Sequence, residues 1–287
     1  MNALCRLAIA LVGATALALP GGASGAGSQE GPVGTIAFEG SDGLYLVDAA
    51  GGSARRIPGT RPRDGDPAWS PDGLRIVFDR GGDDRDIWVM DVDGANQHRL
   101  TFAPGDDGWP RWAPHGRAVT FESDRDRRRD PAAYVVHVGS GQARRVAPGG
   151  QFPDWRSDGR ILFQGEDFDV ESVLPYGGGR TVEARETSAR RFAVRPSDDG
   201  ERISFTAGRP PRSLYTARTD GTGARLVYSG GQEIYNPAWS PDDAWLTFSM
   251  GAGNRLDVYV IRADGSGLRR LTRVPRGGTA CCSDWAP

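Results

Sequence analysis

Short apolar runs separated by polar, turn-forming residues extend over most of the chain. The stretch Pro67–Gly73 contains Trp-Ser-Pro-Asp-Gly, and the apolar run Leu74–Phe78 follows it directly. Ser, Pro and Gly occupy the corners at which a type I turn favours them. In the strand after the turn, Ile76 and Phe78 would face one side and Val77 the other, so both sides need to be covered. The pattern predicts a strand, a tight turn and a buried strand.

The same unit recurs to the end of the chain. Its Trp position falls at residues 69, 112, 155, 194, 239 and 285, so that successive copies lie 43, 43, 39, 45 and 46 residues apart. The copy at Val194 is degenerate and lacks the Trp. An apolar strand that ends in Phe follows each turn up to residue 248, and Asp-Gly pairs such as Asp93-Gly94 then mark hairpins. A period of about 40–45 residues is typical of the four-stranded blade of a β-propeller.

The two ends of the chain complement each other. Thr35–Phe38 is a second strand without a first strand before it, and Asp284–Pro287 is a first strand with nothing after it. Joined, they complete a sixth unit, and a closed ring leaves no apolar end exposed. We therefore predict an all-β fold over residues 34–287: one six-bladed β-propeller of four-stranded antiparallel blades, the last of which is closed by both termini.

The repeat also resembles a known family. The Trp-Ser-Pro-Asp-Gly turn, the strand after it, the Asp-Gly hairpin and the Arg-Arg-Leu-Thr at 269–272 are similar to the WD40-like (PD40) repeats of the TolB-type propellers. The resemblance covers about 34–287 and implies the fold rather than a function. TolB itself carries an α/β domain before its propeller, and repeats that begin soon after residue 30 leave no room for one here. We therefore expect a TolB-like protein rather than TolB proper.

Residues 1–26 have the pattern of a signal peptide. Arg6 precedes an apolar run of 13 residues, Leu7–Leu19, which is too short to span a bilayer. Pro20 and two glycines end the run, and small residues stand at Ser24–Ala26, where cleavage would occur. The expected mature chain is a bacterial protein of the periplasm, the cell envelope or the extracellular space, without a transmembrane segment.

Charge and motifs exclude several functions. The formal net charge of −2 argues against a globally basic nucleic-acid binder. The chain contains neither Gly-x-Ser-x-Gly nor His-Glu-x-x-His, and its three histidines, His98, His115 and His137, stand at unrelated points of different repeats. No catalytic residue, metal site or cofactor is therefore expected.

Two classes of function remain open. The favoured one is an exported interaction module that binds an envelope or extracellular protein, a peptide or another polar ligand. The alternative is a propeller enzyme, of hydrolase or lyase type, with a polar site at the central channel. Several carboxylates and a histidine at the channel mouth would favour the enzyme. A mixed rim of Arg, Asp, Asn and aromatic residues would favour binding.

The predicted binding site lies on the face that carries the long loops, those between blades and those between second and third strands. Functional residues usually lie on variable loops held by a rigid scaffold. The residues that enter the innermost strands from this face should surround the channel mouth: Asp66, Arg111, Asp154, Arg191, Asn236 and Asp284. Their alternating charge suits a polar partner, such as an envelope protein segment or a peptide carboxylate held by Arg. Alternatively, they neutralise one another around a water-filled channel.

Cys281 and Cys282 are the only cysteines after the predicted signal peptide. In an oxidising compartment, adjacent cysteines can form a strained vicinal disulfide or a bridge to another chain. We predict an oxidised pair; the alternative is a reduced pair in a surface loop.

Overall fold

Each sequence repeat folds into a small antiparallel sheet. The structure, a computed structural model, describes residues 31–82, 84–126, 131–185, 191–253, 255–275 and 278–287, so the predicted signal peptide lies outside the described residues. The described ranges form strands and no helix. Consequently, none of the described segments is a helix long and apolar enough to cross a membrane.

The strands follow one another at short intervals. In chain order they are β1 (Thr35–Gly40), β2 (Gly43–Asp48), β3 (Arg55–Arg56), β4 (Asp64–Trp69), β5 (Arg75–Arg80), β6 (Asp86–Asp91), β7 (His98–Arg99), β8 (Asp107–Trp112), β9 (Ala118–Ser123), β10 (Ala132–His137), β11 (Ala143–Pro148), β12 (Gln151–Trp155), β13 (Ile161–Gln164), β14 (Val170–Val173), β15 (Thr181–Ala184), β16 (Arg191–Pro196), β17 (Arg202–Ala207), β18 (Ser213–Arg218), β19 (Arg225–Tyr228), β20 (Glu233–Trp239), β21 (Trp245–Ala252), β22 (Arg255–Arg262), β23 (Arg269–Arg270) and β24 (Ala280–Trp285).

Six four-stranded sheets result, and they form the predicted propeller. Blade 1 has the order β24-β1-β2-β3, and blades 2 to 6 each contain four consecutive strands from β4 onward. Ile36 pairs with Trp285 and Ala37 with Asp284, so the two ends of the chain share one sheet. The first strands of neighbouring blades (β24, β4, β8, β12, β16 and β20) lie side by side around a central channel. The predicted six-bladed ring and its closure are confirmed.

One register in the predicted repeat is wrong. Pro196, and not Val194, occupies the Trp position of blade 5, because Pro196 pairs with Ile203 as Trp69 pairs with Ile76. The corrected positions are 69, 112, 155, 196, 239 and 285, with steps of 43, 43, 41, 43 and 46 residues. The turn chemistry explains the register. The Ser197 hydroxyl donates to the Asp199 carboxylate over 2.6 Å, the same distance as in the matching pair of blade 2.

The hydrophobic core lies between blades. Ile76 and Phe78 pack with blade 1 residues, whereas Val77 packs with blade 3 residues. The second strand of blade 2 is therefore covered on both sides, as its apolar pattern predicts. The Phe that ends this run is at most 4% exposed in every blade, at Phe38, Phe78, Phe121, Phe163, Phe205 and Phe248.

Candidate functional site

A β-bulge interrupts the innermost strand of every blade, three residues before the Trp position. The ladder to the second strand shifts register at this point in all six blades. The first bulge residue has a left-handed φ of 45–54° in each case: Asp66, Trp109, Phe152, Ala193, Asn236 and Cys282. Bulges redirect a side chain locally, and Pro, which follows in four of the six blades, is tolerated there because no ladder amide is lost. We call these six residues the bulge ring.

The bulge ring lies at the channel. Trp109, Phe152, Ala193 and Asn236, from four different blades, line one small cavity together with Arg111 and Arg195. The Asn236 amide of blade 6 reaches the Cys282 sulfur of blade 1 over 3.0 Å. Bulge-ring residues that are about 43 positions apart in the sequence are thus neighbours at the channel.

A layer of ion pairs closes the channel beneath the bulge ring. Arg195 contacts Asp154 over 3.1 Å and Asp284 over 3.4 Å, and the backbone N–H of Trp69 donates to Asp284 over 2.9 Å. Burial, followed by the nearby charge of Arg111, lowers the pKa of Arg195. Burial raises the pKa of Asp284, although Arg111 and Arg195 oppose that effect. The residue before each Trp position belongs to this layer and is charged or small in every blade: Ala68, Arg111, Asp154, Arg195, Ala238 and Asp284.

A funnel opens below this layer on the face that carries the Ser-Pro-Asp-Gly turns, which we call the turn face. Its cavity volume is about 490 Å³, and its floor is formed by Asp154, Arg195 and Asp284. The wall consists of the residues at the Trp positions and of prolines, serines and Asp198 from the turns. The indoles are buried, between 5% and 8% exposed, so that little of each ring faces the funnel.

The opposite mouth, on the face of the inter-blade loops, has an acidic half. We call this face the loop face. The residue after each core Phe is acidic in blades 1 to 3 and neutral in blades 4 to 6: Glu39, Asp79 and Glu122, then Gln164, Thr206 and Ser249. Glu39 and Asp79 converge above Gly65, where a Cβ atom would lie 2.9 Å from Glu39 Oε2 and 3.1 Å from Asp79 Oδ1. A glycine at that position leaves space for both carboxylates.

The acidic half of the mouth has more carboxylates than cations among the described residues. Burial, reinforced by the charge of Asp66, raises the pKa of Glu39 to about 7 and raises that of Asp79 well above its ordinary value. Burial also raises the pKa of Glu122 to about 7. The Arg85 guanidinium is the cation of this cluster among the described residues; it contacts Asp79 over 3.2 Å. A buried carboxylate with a raised pKa gains from a further cation nearby.

Aromatic rings form the other half of the loop-face mouth. Trp109 and Phe152 meet edge to face at 5.1 Å, and Arg85 lies 5.0 Å from the Trp109 ring centre. In the next blades, Phe192 contacts Phe168 at 5.7 Å and carries the Arg212 guanidinium at 4.1 Å. The mouth therefore combines carboxylates, aromatic faces and arginines.

Cys281 and Cys282 lie on the acidic side of this mouth. Both are free thiols in the structure, with Sγ atoms 3.2 Å apart, so the predicted disulfide is not present. Cys281 pairs with Glu39 in the ladder, whereas Cys282 has the left-handed bulge conformation. Consecutive residues of a regular strand point to opposite faces, but the bulge turns both sulfurs to the same side.

The sequence-predicted site residues fall into two layers. Asp66 and Asn236 belong to the bulge ring, and Arg111, Asp154 and Asp284 belong to the ion-pair layer below it. Arg191 begins β16, and its side chain lies outside the described residues. Sequence reasoning missed Arg195, because the repeat of blade 5 was placed two residues too early.

Sequence reasoning also missed the acidic half of the mouth. Glu39, Asp79 and Glu122 share the position after the core Phe, and that shared position was the available clue. The three histidines are all exposed on other parts of the propeller. The mouth thus has carboxylates without a histidine, beside the mixed arginine and aromatic rim expected of a binding site.

Comparisons with known proteins agree with this architecture. Residues 67–172 match the family model described as TolB beta propeller domain. The TolB homolog of Chlorobaculum tepidum is 32% identical over 112 residues, which cover 37% of this chain and 23% of that protein. The Tol-Pal system protein TolB of Anaeromyxobacter dehalogenans is 35% identical over 103 residues, which cover 34% and 23%.

Among solved structures, TolB from Acinetobacter baumannii superposes with a TM-score of 0.75 at 18% identity, over 88% of this chain and 67% of that one. The resemblance inferred from the repeats is therefore confirmed over residues 67–172, and the solved structure supports the propeller fold of the chain. The sequence matches span less than a quarter of the length of either relative.

Proposed function

We propose that the chain is an exported interaction module of the cell envelope. Its loop-face mouth receives a polar segment of a partner protein or peptide that carries a basic side chain. Two considerations support the setting: the signal-peptide pattern of residues 1–26 and the likeness to proteins of the Tol-Pal system. The observation that carries the proposal is the pairing of three carboxylates from consecutive blades with an aromatic wall at one mouth.

The chemistry of this mouth suits an ammonium or guanidinium group. Burial makes Glu39, Asp79 and Glu122 costly to ionise, and a bound cation would offset that cost. Aromatic faces attract the same cations and also pack against the neighbouring apolar parts of a peptide. Arg85 is an internal example, because its guanidinium binds Asp79 and Asp106 while it lies over the Trp109 ring.

The arginines offer less to an anionic partner. Arg195 is already paired with two carboxylates, and Arg111 is only 6% exposed. A peptide carboxylate held by Arg, which the sequence suggested, would have to enter past the acidic half of the mouth. The enzyme alternative has no specific support at the channel mouth, because the histidine expected there for a catalytic site lies elsewhere on the propeller.

Peptide binding tests the proposal. A library of labelled peptides is screened against the mature protein in EDTA, and the best binder is resynthesised with each Lys or Arg replaced by a neutral residue. We expect at least a tenfold loss for the neutral peptide and for the Asp79→Asn variant. The control is Asp158→Asn, which removes an exposed carboxylate on the turn face.

Three results would contradict the proposal. Equal affinity for the charged and neutral peptides would show that no cation is recognised. Loss only on amidation of the peptide C-terminus, together with loss in Arg111→Ala, would favour a carboxylate-binding site. An effect confined to Asp158→Asn would move the binding site to the turn face.

A further inference from the structure

Three potential metal-binding atoms meet at the edge of the loop-face mouth. A carboxylate oxygen of Glu39 and the sulfurs of Cys281 and Cys282 all lie within 4.8 Å of one another. They come from β1 and β24, the two strands that close the ring, and all three residues are partly exposed to the mouth. An ion could therefore reach them from solvent without unfolding the blade.

A further carboxylate, that of Asp66, belongs to the same bulge ring but lies outside the group of donor atoms that are all within 4.8 Å of one another. Asp66 is 5% exposed, and its Oδ1 atom has no hydrogen-bond partner among the described residues. Gly65, the residue before Asp66, lies directly beneath the converging Glu39 and Asp79 carboxylates, so Asp66 is a near neighbour of the cluster. A buried carboxylate oxygen without a partner is costly, and a cation is one of the few groups that could satisfy it here.

The donor set indicates which ion would fit. Zn²⁺ accepts both thiolate and carboxylate ligands, whereas Ca²⁺ and Mg²⁺ prefer oxygen donors alone. Zn–S bonds of about 2.3 Å separate two sulfurs in a tetrahedral site by about 3.8 Å. The observed separation is 3.2 Å, so a small side-chain rotation is sufficient. The Asn236 amide, 3.0 Å from the Cys282 sulfur, would orient that ligand from outside the site.

We propose that Glu39, Cys281 and Cys282 bind a zinc ion at the closure of the ring, with a water molecule in the fourth position and the buried Asp66 carboxylate nearby. This site differs from the sequence-based expectation of no metal site, and it does not depend on the proposed peptide partner. Binding would replace the thiol protons by the metal, so that protons are released as the ion enters. It would also join the two ends of the propeller through an additional set of bonds.

Cobalt titration tests the site directly. The reduced mature protein, without any peptide, is titrated with Co²⁺, whose tetrahedral thiolate complexes give a charge-transfer band and intense visible bands. We expect one Co²⁺ per chain, proton release in weakly buffered solution, and loss of the bands when Zn²⁺ is added. Cys281→Ser and Cys282→Ser should abolish the charge-transfer band, and Glu39→Gln should weaken binding by about 10–100-fold.

Two controls keep the result interpretable. Asp158→Asn changes an exposed carboxylate on the turn face, far from the proposed donor set, and it should bind Co²⁺ like the wild type. Circular dichroism before titration shows whether each variant is folded. A folded, reduced protein with two titratable thiols and no charge-transfer band would overturn the proposal, as would unchanged binding in both serine variants. Because the peptide assay is run in EDTA and the metal assay without peptide, either proposal can fail alone.

Discussion

Substitution of Trp285 by Ala tests the closure of the ring. Trp285 is 5% exposed and belongs to a buried cluster that joins blade 1 to Trp245, Val258 and Val260 of blade 6. Its indole N–H also donates to the Val33 carbonyl over 2.9 Å. The side chain therefore links the last strand to the first strand and to the neighbouring blade.

The expected cost follows from this burial. Replacing a buried Trp by Ala typically costs about 3–5 kcal/mol, against roughly 5–15 kcal/mol for the stability of a whole domain. For a domain of this size, each kcal/mol corresponds to roughly 2–4 °C, so the melting temperature should fall by roughly 6–20 °C. Thermal unfolding followed by circular dichroism or calorimetry measures the change.

The matched control is deletion of Pro287, which shortens the same end of the chain but leaves β24 intact. Pro287 is exposed, and its loss should leave the melting temperature within the range of ordinary surface substitutions. If Trp285→Ala melts like the Pro287 deletion, the closing strand does not stabilise the ring, and the reasoning is refuted.

Three further predictions concern the channel and a turn. Burial raises the pKa of Glu122 from its ordinary 4.5 to about 7, so folding takes up a proton between these values, and the free energy of unfolding falls as pH rises through that window. The free energy of unfolding of Glu122→Gln, relative to that of the wild type, should therefore rise by about 1–3 kcal/mol from pH 5 to pH 8. Urea unfolding at the two pH values measures this difference, and the same difference at both would contradict the prediction. Arg195→Met leaves the Asp284 carboxylate buried without its ion-pair partner and should lower the free energy of unfolding by about 3–5 kcal/mol. Adding Asp284→Asn should restore part of this loss. If the urea midpoint of the double variant does not recover, the ion-pair layer does not stabilise the fold. Ser240→Ala removes the hydroxyl that accepts a hydrogen bond from the Trp245 backbone N–H over 2.9 Å, and it should lower the free energy of unfolding by about 1 kcal/mol. Thermal unfolding measures the change. An unchanged melting temperature would show that this turn needs no hydroxyl, as in blade 3, where Ala113 stands at the same position.

The architecture was predictable because its causes are local and repeated. Turn residues, alternating apolar positions and hairpin pairs act over a few neighbouring residues, and six copies reinforce one another. The register of blade 5 shows the limit of this reasoning. Without its Trp, that repeat was aligned on Val194, although Ser197 and Asp199 keep the hydrogen-bonded turn that places Pro196 at the Trp position.

The candidate site was less predictable because its members come from different blades. The bulge ring holds Asp, Trp, Phe, Ala, Asn and Cys, so no shared residue type marks the position at which φ becomes left-handed. All six residues predicted from the sequence lie on the innermost strands, and five of them fall in two adjacent layers. The sequence could not show that Arg195 pairs with two of them.

The sequence by itself thus determined the blade, the number of blades and the sheet shared by the two ends, since each of these follows from short-range pattern and a fixed period. Only the tertiary structure decided which side chains meet at the axis. Glu39 and Cys281 are far apart in the chain and become ladder partners when the ring closes. Closure also brings acids from three consecutive blades to one side of the mouth, opposite the aromatic rings. Contacts across the axis depend on the curvature of the ring and on the β-bulges. Neither property can be read from the residue types at the contacting positions.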